Sequence, residues 1–155
     1  MGNFKIDLEV GKIGEEKSLT FLKNNDKVYE VKDVRDDKFW QTHDVDFIVT
    51  MNLGDIIKIE VKTDTLAHLT GNIAYEHTSN KYSRSIGCFR KTKADVIFYY
   101  LSKIDKLYQI DTYSLREYVD NHNFNDINMG DMALGYLIKI DLLEKNEIMK
   151  EIKIN

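Results

Sequence analysis

The sequence predicts an α/β fold with a central mixed β-sheet flanked by helices, and three observations predict it. One stretch of helical period near the start, residues 10–25, precedes a group of strand-like stretches. Asp95–Leu101 (DVIFYYL) is a near-continuous apolar run, the pattern of a strand buried on both faces. Helical spacing returns at Ser114–Asn121 (SLREYVDN), so helices and strands are mixed along the chain. The 155 residues contain no proline, no long Gly/Ser linker and no internal repeat, so the chain reads as a single domain, 1–155.

The elements follow in order. In the first helix Val10, Gly14, Phe21 and Leu22 form one stripe, with Lys12, Glu16, Thr20 and Lys23 opposite. Asn24-Asn25-Asp26 ends it. Lys27–Val34 alternates as a strand does, and Val45–Thr50 and Ile56–Val61 are two further strands. Residues 72–77, Leu107–Ile110 and Tyr136–Ile140 complete the expected strands.

Composition narrows the function classes. Hydrophobic residues are 43% of the chain, which excludes wholesale disorder. No apolar run approaches membrane-span length, and Met1–Val10 is too interrupted by charges for a signal peptide, so the expectation is a soluble, cytoplasmic protein. The single cysteine, Cys88, excludes a disulfide framework and a multi-Cys zinc site. Net charge is −4, but His77–Ala94 has no acidic residue and carries Lys81, Arg84, Arg90, Lys91 and Lys93. A basic island on an acidic chain points to a polyanion such as DNA, these five residues being the candidate contacts. Tyr82 and Phe89 interleave it.

The segment richest in chemistry is His43–Asp64. If Asn52-Leu53-Gly54 is a three-residue hairpin loop, with glycine in the left-handed position, the register follows. Thr50 faces Ile56, Ile48 faces Lys58, Asp46 faces Glu60, and Asp44 faces Lys62. Val45, Phe47, Val49 and Met51 then share the buried face with Ile57, Ile59 and Val61. On the other face Asp46 opposes Glu60, with Lys62 two residues along. Two carboxylates about 5 Å apart across a strand pair repel. A divalent cation between them reverses that sign, and hard oxygen ligands suit Mg²⁺. Lysine beside such a site can orient or activate water, or stabilise developing charge, as phosphodiester hydrolysis requires. Acid-x-Lys alone is common here, as in Glu15-x-Lys17, Glu30-x-Lys32, Asp36-x-Lys38 and Glu151-x-Lys153. Only Glu60-Val61-Lys62 also has an Asp in register on a preceding strand. On the helix, Glu15 falls at the edge of the apolar stripe and Glu16 on the polar side, so Glu15 is the better partner for this site. Glycines at 11 and 14 would let that helix approach the sheet closely.

The order helix Glu15, then Asp46, then Glu60-x-Lys62 resembles the PD-(D/E)xK nuclease superfamily, the restriction-endonuclease-like fold. The chain is most similar to Holliday junction resolvase-like and small phage-type nucleases, over about residues 5–115. The matching pieces are Gly11-x-x-x-Glu15, Asp44–Val49 (DVDFIV), Glu60–Asp64 (EVKTD), Gly71–Glu76, Lys91–Asp95, Tyr108–Thr112 and Leu115-Arg116. Val45 stands where the family often has proline. The resemblance implies a Mg²⁺-dependent endonuclease acting on branched DNA, with Mn²⁺ substituting, and often a homodimer. It also implies that Asp46, Glu60 and the Val61 carbonyl hold the metal, Glu15 orients water and Lys62 assists the nucleophile. The alternatives are a restriction-type or nicking enzyme on duplex DNA, and a nuclease-fold binding module without catalysis. A host of bacterial, archaeal or phage-infected kind fits.

Several residues tempt without fitting. His43 adjoins the hairpin but reads as an exposed strand-end histidine, and His68, His77 and His122 lack zinc spacing. Asp120-Asn121-His122-Asn123 superficially resembles an HNH nuclease. Glu76 is either a further contact or a surface carboxylate, and Cys88 a small buried side chain.

Overall fold

In the computed structural model, which describes residues 2–154 and the side chains of residues 7–154, the chain forms two antiparallel-rich sheets around two apolar layers. Met1, part of the opening segment considered above, lies outside the described residues. Helix α1 runs Gly2–Asn24, well before the expected start at residue 10. Residues 7–9 are exposed, so the early turns have no buried stripe for a periodicity to reveal.

The larger sheet contains β1 (Val28–Asp33), β2 (Phe47–Met51), β3 (Ile56–Asp64), β6 (Val96–Leu101), β7 (Lys106–Asp111) and β10 (Met149–Ile152), side by side in that order. Its strands are antiparallel except β3 and β6, which run parallel, so the sheet is mixed as the sequence predicts. The β2–β3 register pairs Thr50 with Ile56 and Ile48 with Lys58, as expected. Gly54 closes the loop at φ 97°, its N–H donating to the Met51 carbonyl over 2.9 Å.

The smaller sheet pairs β4 (Asn72–Asn80) with β5 (Ser85–Ile86) on one side and β9 (Ala133–Lys139) on the other, and β9 with β8 (Ile127–Met129). The strands expected at 72–77 and 136–140 are thus real, but they build a second sheet. Short helices α2 (Lys38–Thr42), α3 (Ala67–Thr70) and α4 (Cys88–Lys91) fill connections, and α5 (Thr112–Asp120) and α6 (Ile140–Lys145) flank the C-terminal strands. Among the described residues no helix is long and apolar enough to cross a membrane.

Period-two alternation along β6 divides the interior. Phe98 and Tyr100 join Leu19 and Leu22 of α1, Phe47, Val49 and Ile59 in one layer. Ile97, Tyr99 and Leu101 join Ile73, Tyr75 and Ile138 of the smaller sheet, with Leu115, Val119 and Leu143, in the other. The large sheet therefore lies between α1 and the small sheet, buried on both faces at β6. Gly14 brings α1 close: a Cβ there would sit 2.1 Å from Thr63 Oγ1 and 3.1 Å from a Tyr100 ring carbon. Gly11 meets nothing within 4 Å and has no such role.

Candidate active site

Alternation along β3 decides what its polar residues meet. Ile57, Ile59 and Val61 point to the α1 layer, so Glu60 and Lys62 point to the opposite face, beside Ile97 and Tyr99 of β6. Loop residues and α4 cover them there. Glu60 is 4% exposed; one carboxylate oxygen, Oε1, is 2.5 Å from Lys62 Nζ, while Oε2 is buried and has no hydrogen-bond partner among the described residues. Burial pushes the Glu60 carboxyl up to about 7, against the charge and hydrogen bond of Lys62 and a smaller pull from the nearby Thr92 hydroxyl, which donates to the Asp44 carbonyl. Burial works to lower the Lys62 pKa, but Glu60 outweighs it, so the group stands above an ordinary lysine and is an ammonium.

Asp46 reaches the site differently from the expected cross-strand opposition. The β2 ladder ends at Phe47 paired with Ile59, and Val45 packs with Val34, Ala94, Trp40 and Ile48, away from the Phe47 layer where regular alternation would put it. The cause is local: Asp44 adopts a left-handed φ of 52° as the chain leaves α2, so the strand twist is broken before Asp46. Asp46 still donates its N–H to the Ile59 carbonyl, and its Oδ2 accepts the Val61 N–H over 2.7 Å. Burial pushes its carboxyl up to about 6; the Val61 N–H works against this and the Glu15 charge adds to it. Glu60, by contrast, has Asp44 as its acidic neighbour. Because Val61 turns its N–H toward the finished end of β2, its carbonyl leaves the strand on that side too.

Glu15 comes from the other face of the sheet, on α1. It is partly buried and accepts from Arg35 Nη1 at 3.0 Å, while the more exposed Glu16 takes the same nitrogen at 2.8 Å. Arg35 also forks onto Asp33, with contacts of 2.9 and 2.6 Å, and lies over the Phe47 ring. Asp46 is the meeting point: it feels Glu15 and Arg35 from one side and Lys62 from the other. Among the described residues no three His, Cys, Asp or Glu side chains form a ready-made metal cage.

The remaining candidates divide. Arg90 pairs with Asp120 at 2.9 Å and Lys91 with Asp44 at 3.7 Å, so the island is less bare in space than along the chain. Lys81 lies over the Tyr82 ring, and the Lys93 N–H donates to the His43 carbonyl. His43 caps α2, its Nδ1 2.7 Å from the Phe39 carbonyl. His77 Nε2 is 2.8 Å from Asp126, and His122 stacks on Tyr118. His68 belongs to α3. Glu76 accepts the Cys88 N–H at 3.3 Å, and burial pushes the Cys88 thiol up to about 11. The HNH-like run gathers no ligand set. Sequence reasoning missed Arg35 and quoted Arg116 only as part of the family resemblance, though each is one of only four arginines in the chain, a rarity that could have flagged them.

No protein-family model matches the chain, and no curated protein does. Among solved structures it is similar to that of a bacterial homing endonuclease, I-Ssp6803I, with 17% identity over 70% of this chain and 71% of that chain and a TM-score of 0.50. At that identity the likeness is one of fold: a mixed α/β architecture with a central mixed sheet flanked by helices.

Proposed function

We propose that the chain is a Mg²⁺-dependent DNA endonuclease whose site is Asp46, Glu60 and Lys62 with Glu15. The observation that carries this is the Glu60 carboxylate: buried, joined to an ammonium through one oxygen, and with no hydrogen-bond partner on the other among the described residues. A buried carboxylate oxygen left unpaired costs on the order of 1–3 kcal/mol, a cost that a cation removes. Asp46, also pushed upward by burial, supplies a second hard oxygen donor at the end of β2, and the Val61 carbonyl a third. Mg²⁺ is usually held by one or two carboxylates plus water and phosphate rather than by a full protein cage, so this donor set fits it, with Mn²⁺ as a substitute. When bound, the ion supplies Lewis-acid polarisation of the phosphodiester and charge neutralisation.

The side chains do the rest. Lys62, held protonated by Glu60, donates to a phosphoryl oxygen as negative charge grows there; as an ammonium it is a charge stabiliser and not the base. Glu15, fixed by Arg35, orients the attacking water. The fold likeness to a homing endonuclease supports DNA as the substrate class, and the resemblance to resolvases supports branched DNA. A homodimer, as such enzymes often form, would cut two strands.

The test is a cleavage panel of four-way junction, flap, linear duplex and single strand, each with Mg²⁺, Mn²⁺ or chelator. The expected result is metal-dependent cutting with preference for the junction. Preference for linear duplex would replace the branched-DNA reading by a restriction-type one. No cutting of any substrate, with binding retained, would leave a nuclease-fold binding module.

A further inference from the structure

Three of the chain's four arginines line one surface groove of about 530 Å³, together with His77, Thr78, Ser85 and Ile86. No carboxylate is among its described lining residues, though two of them meet one, His77 pairing with Asp126 and Arg90 with Asp120. Arg84 and Arg90 come from the β4–β5 turn and α4, six residues apart, and Arg116 joins them from α5.

Arg116 and Arg90 are held by contacts that leave them donors to spare. Arg116 gives Nε to the Phe89 carbonyl at 3.0 Å and Nη2 to the Thr92 carbonyl at 2.7 Å, so its fork is oriented by backbone and still charged. Arg90 lies over the Tyr75 ring and meets Asp120 at the groove's rim. Arg84 pairs with no carboxylate among the described residues. Its backbone has a φ of 58°, in the left-handed region where glycine or asparagine is the ordinary choice. An arginine kept at a strained turn position is best explained by what its side chain reaches. The hydroxyls of Thr78 and Ser85 add neutral donors.

Forked donors without acids in the lining select a phosphate group. Arg90 brings α4 to the groove, and the next residue of that helix, Lys91, meets Asp44 at 3.7 Å, two residues before Asp46. The same short helix therefore borders the candidate active site and the groove. We propose that the groove binds the phosphodiester backbone of the nucleic-acid strand that flanks the cleaved phosphate. The proposal rests on the endonuclease reading, and it adds Arg116 to the contacts and assigns Arg84 and Arg90 to one track.

Arg84→Gly separates binding from folding, because glycine relieves the left-handed backbone while removing the guanidinium. With Arg116→Lys as a second variant, each would be titrated against a fluorescein-labelled 40-base-pair duplex and a labelled four-way junction. Titrations in Ca²⁺ at several salt concentrations would run beside cleavage assays in Mg²⁺. The expected result for Arg84→Gly is a melting temperature equal to or above wild type. Its affinity should fall several-fold for both DNAs, with the log–log salt slope shallower by about 0.9, one phosphate contact. An unchanged slope and affinity would overturn the groove while wild-type cleavage left the endonuclease reading standing. Cleavage absent in wild type, with a groove-dependent slope, would overturn the reading and leave the groove. Inorganic phosphate, titrated by calorimetry at constant ionic strength, tests the other source: binding tighter than the duplex and lost in Arg84→Gly would make this a free-phosphate site and end the strand assignment.

Discussion

Two acidic clusters lie on either side of the β2 terminus, and they behave oppositely. In the first, Asp33, Glu15 and Glu16 share Arg35; the Arg35 hydrogen bond holds the Asp33 carboxyl below its ordinary range. In the second, Asp46 and Glu60 are pushed up, mainly by burial, and Lys62 offsets only part of that for Glu60. Both hold carboxylates near a cation. The difference is how many oxygens the cation satisfies and how much water remains. The forked guanidinium of Arg35 reaches three acids at once, whereas Lys62 meets one oxygen of one acid. The first cluster gives each of its acids an ion-pair partner, and the second leaves Asp46 without one and one Glu60 oxygen unpartnered among the described residues.

The largest effects should come from the second cluster's own side chains. Lys62→Ala is expected to reduce Mg²⁺-dependent cleavage by about 10²-fold or more, the scale of one lost transition-state partner. Asp46→Asn should abolish it, since an amide is a poor Mg²⁺ ligand, yet remain folded because its oxygen can still accept the Val61 N–H. Single-turnover cleavage beside thermal melts measures both. Near-wild-type rates in either variant would end the assigned chemistry.

The pH dependence of stability follows from the same contrast. The folded-state pKa values of Asp46 and Glu60 lie above their unfolded ones, at about 6 and about 7. The folded chain thus binds their protons more tightly, and their contribution to stability is present below pH 4 and lost as pH rises through 6 to 7. The loss amounts to a few kcal/mol for the pair, from roughly 1.4 kcal/mol per pKa unit. Mg²⁺ binds the deprotonated forms, so it should raise the melting temperature at pH 8 and do little at pH 5. Melts across pH with chelator and with Mg²⁺ give the answer directly; an equal Mg²⁺ effect at both pH values would mean that these carboxylates do not hold it.

Much of this was legible in the sequence, for physical reasons that also explain what was not. The β2–β3 register could be read because one glycine fixes the loop and alternation fixes the face. Glu15 could be preferred to Glu16 because helical period sets burial. Asp46 could be placed beside β3, but its surroundings were misjudged, since period two does not reveal where a strand ends; the left-handed Asp44 breaks it. The second sheet was hidden because pairing β4 with β9 joins segments about 60 residues apart, and local pattern carries no partner. The Arg35 knot is likewise a product of folding, joining α1 to the end of β1.

A closer fit can be tested at the packing of α1, where Gly14→Ala would force a Cβ against Thr63 and Tyr100. The expected cost is about 1–3 kcal/mol, read from urea denaturation, because Thr63 adjoins Lys62 on the strand and cannot shift freely. Gly11→Ala, which meets nothing, should be neutral or slightly stabilising.

The smallest effect sharpens the comparison most, because it converts the paired cluster into an unpaired one. Arg35→Ala leaves Asp33, Glu15 and Glu16 without their shared partner. The pairs are part-exposed, so the stability loss should be only about 1 kcal/mol. The electrostatic consequence travels further. The Arg35 charge helps lower the Asp46 pKa and the Glu15 charge raises it, so removing the arginine leaves Asp46 facing an unneutralised carboxylate. Its pKa should rise and the acid limb of the pH–rate profile should move upward, while the rate at high pH also falls because Glu15 loses the contact that holds it. Arg35→Lys restores the charge without the fork, so it should recover the position of that limb but not the full rate, because Glu15 would be held less firmly. A profile of cleavage against pH for the three proteins makes the measurement. Coincident acid limbs would show that the two clusters are electrically separate and that Arg35 serves only the surface of α1.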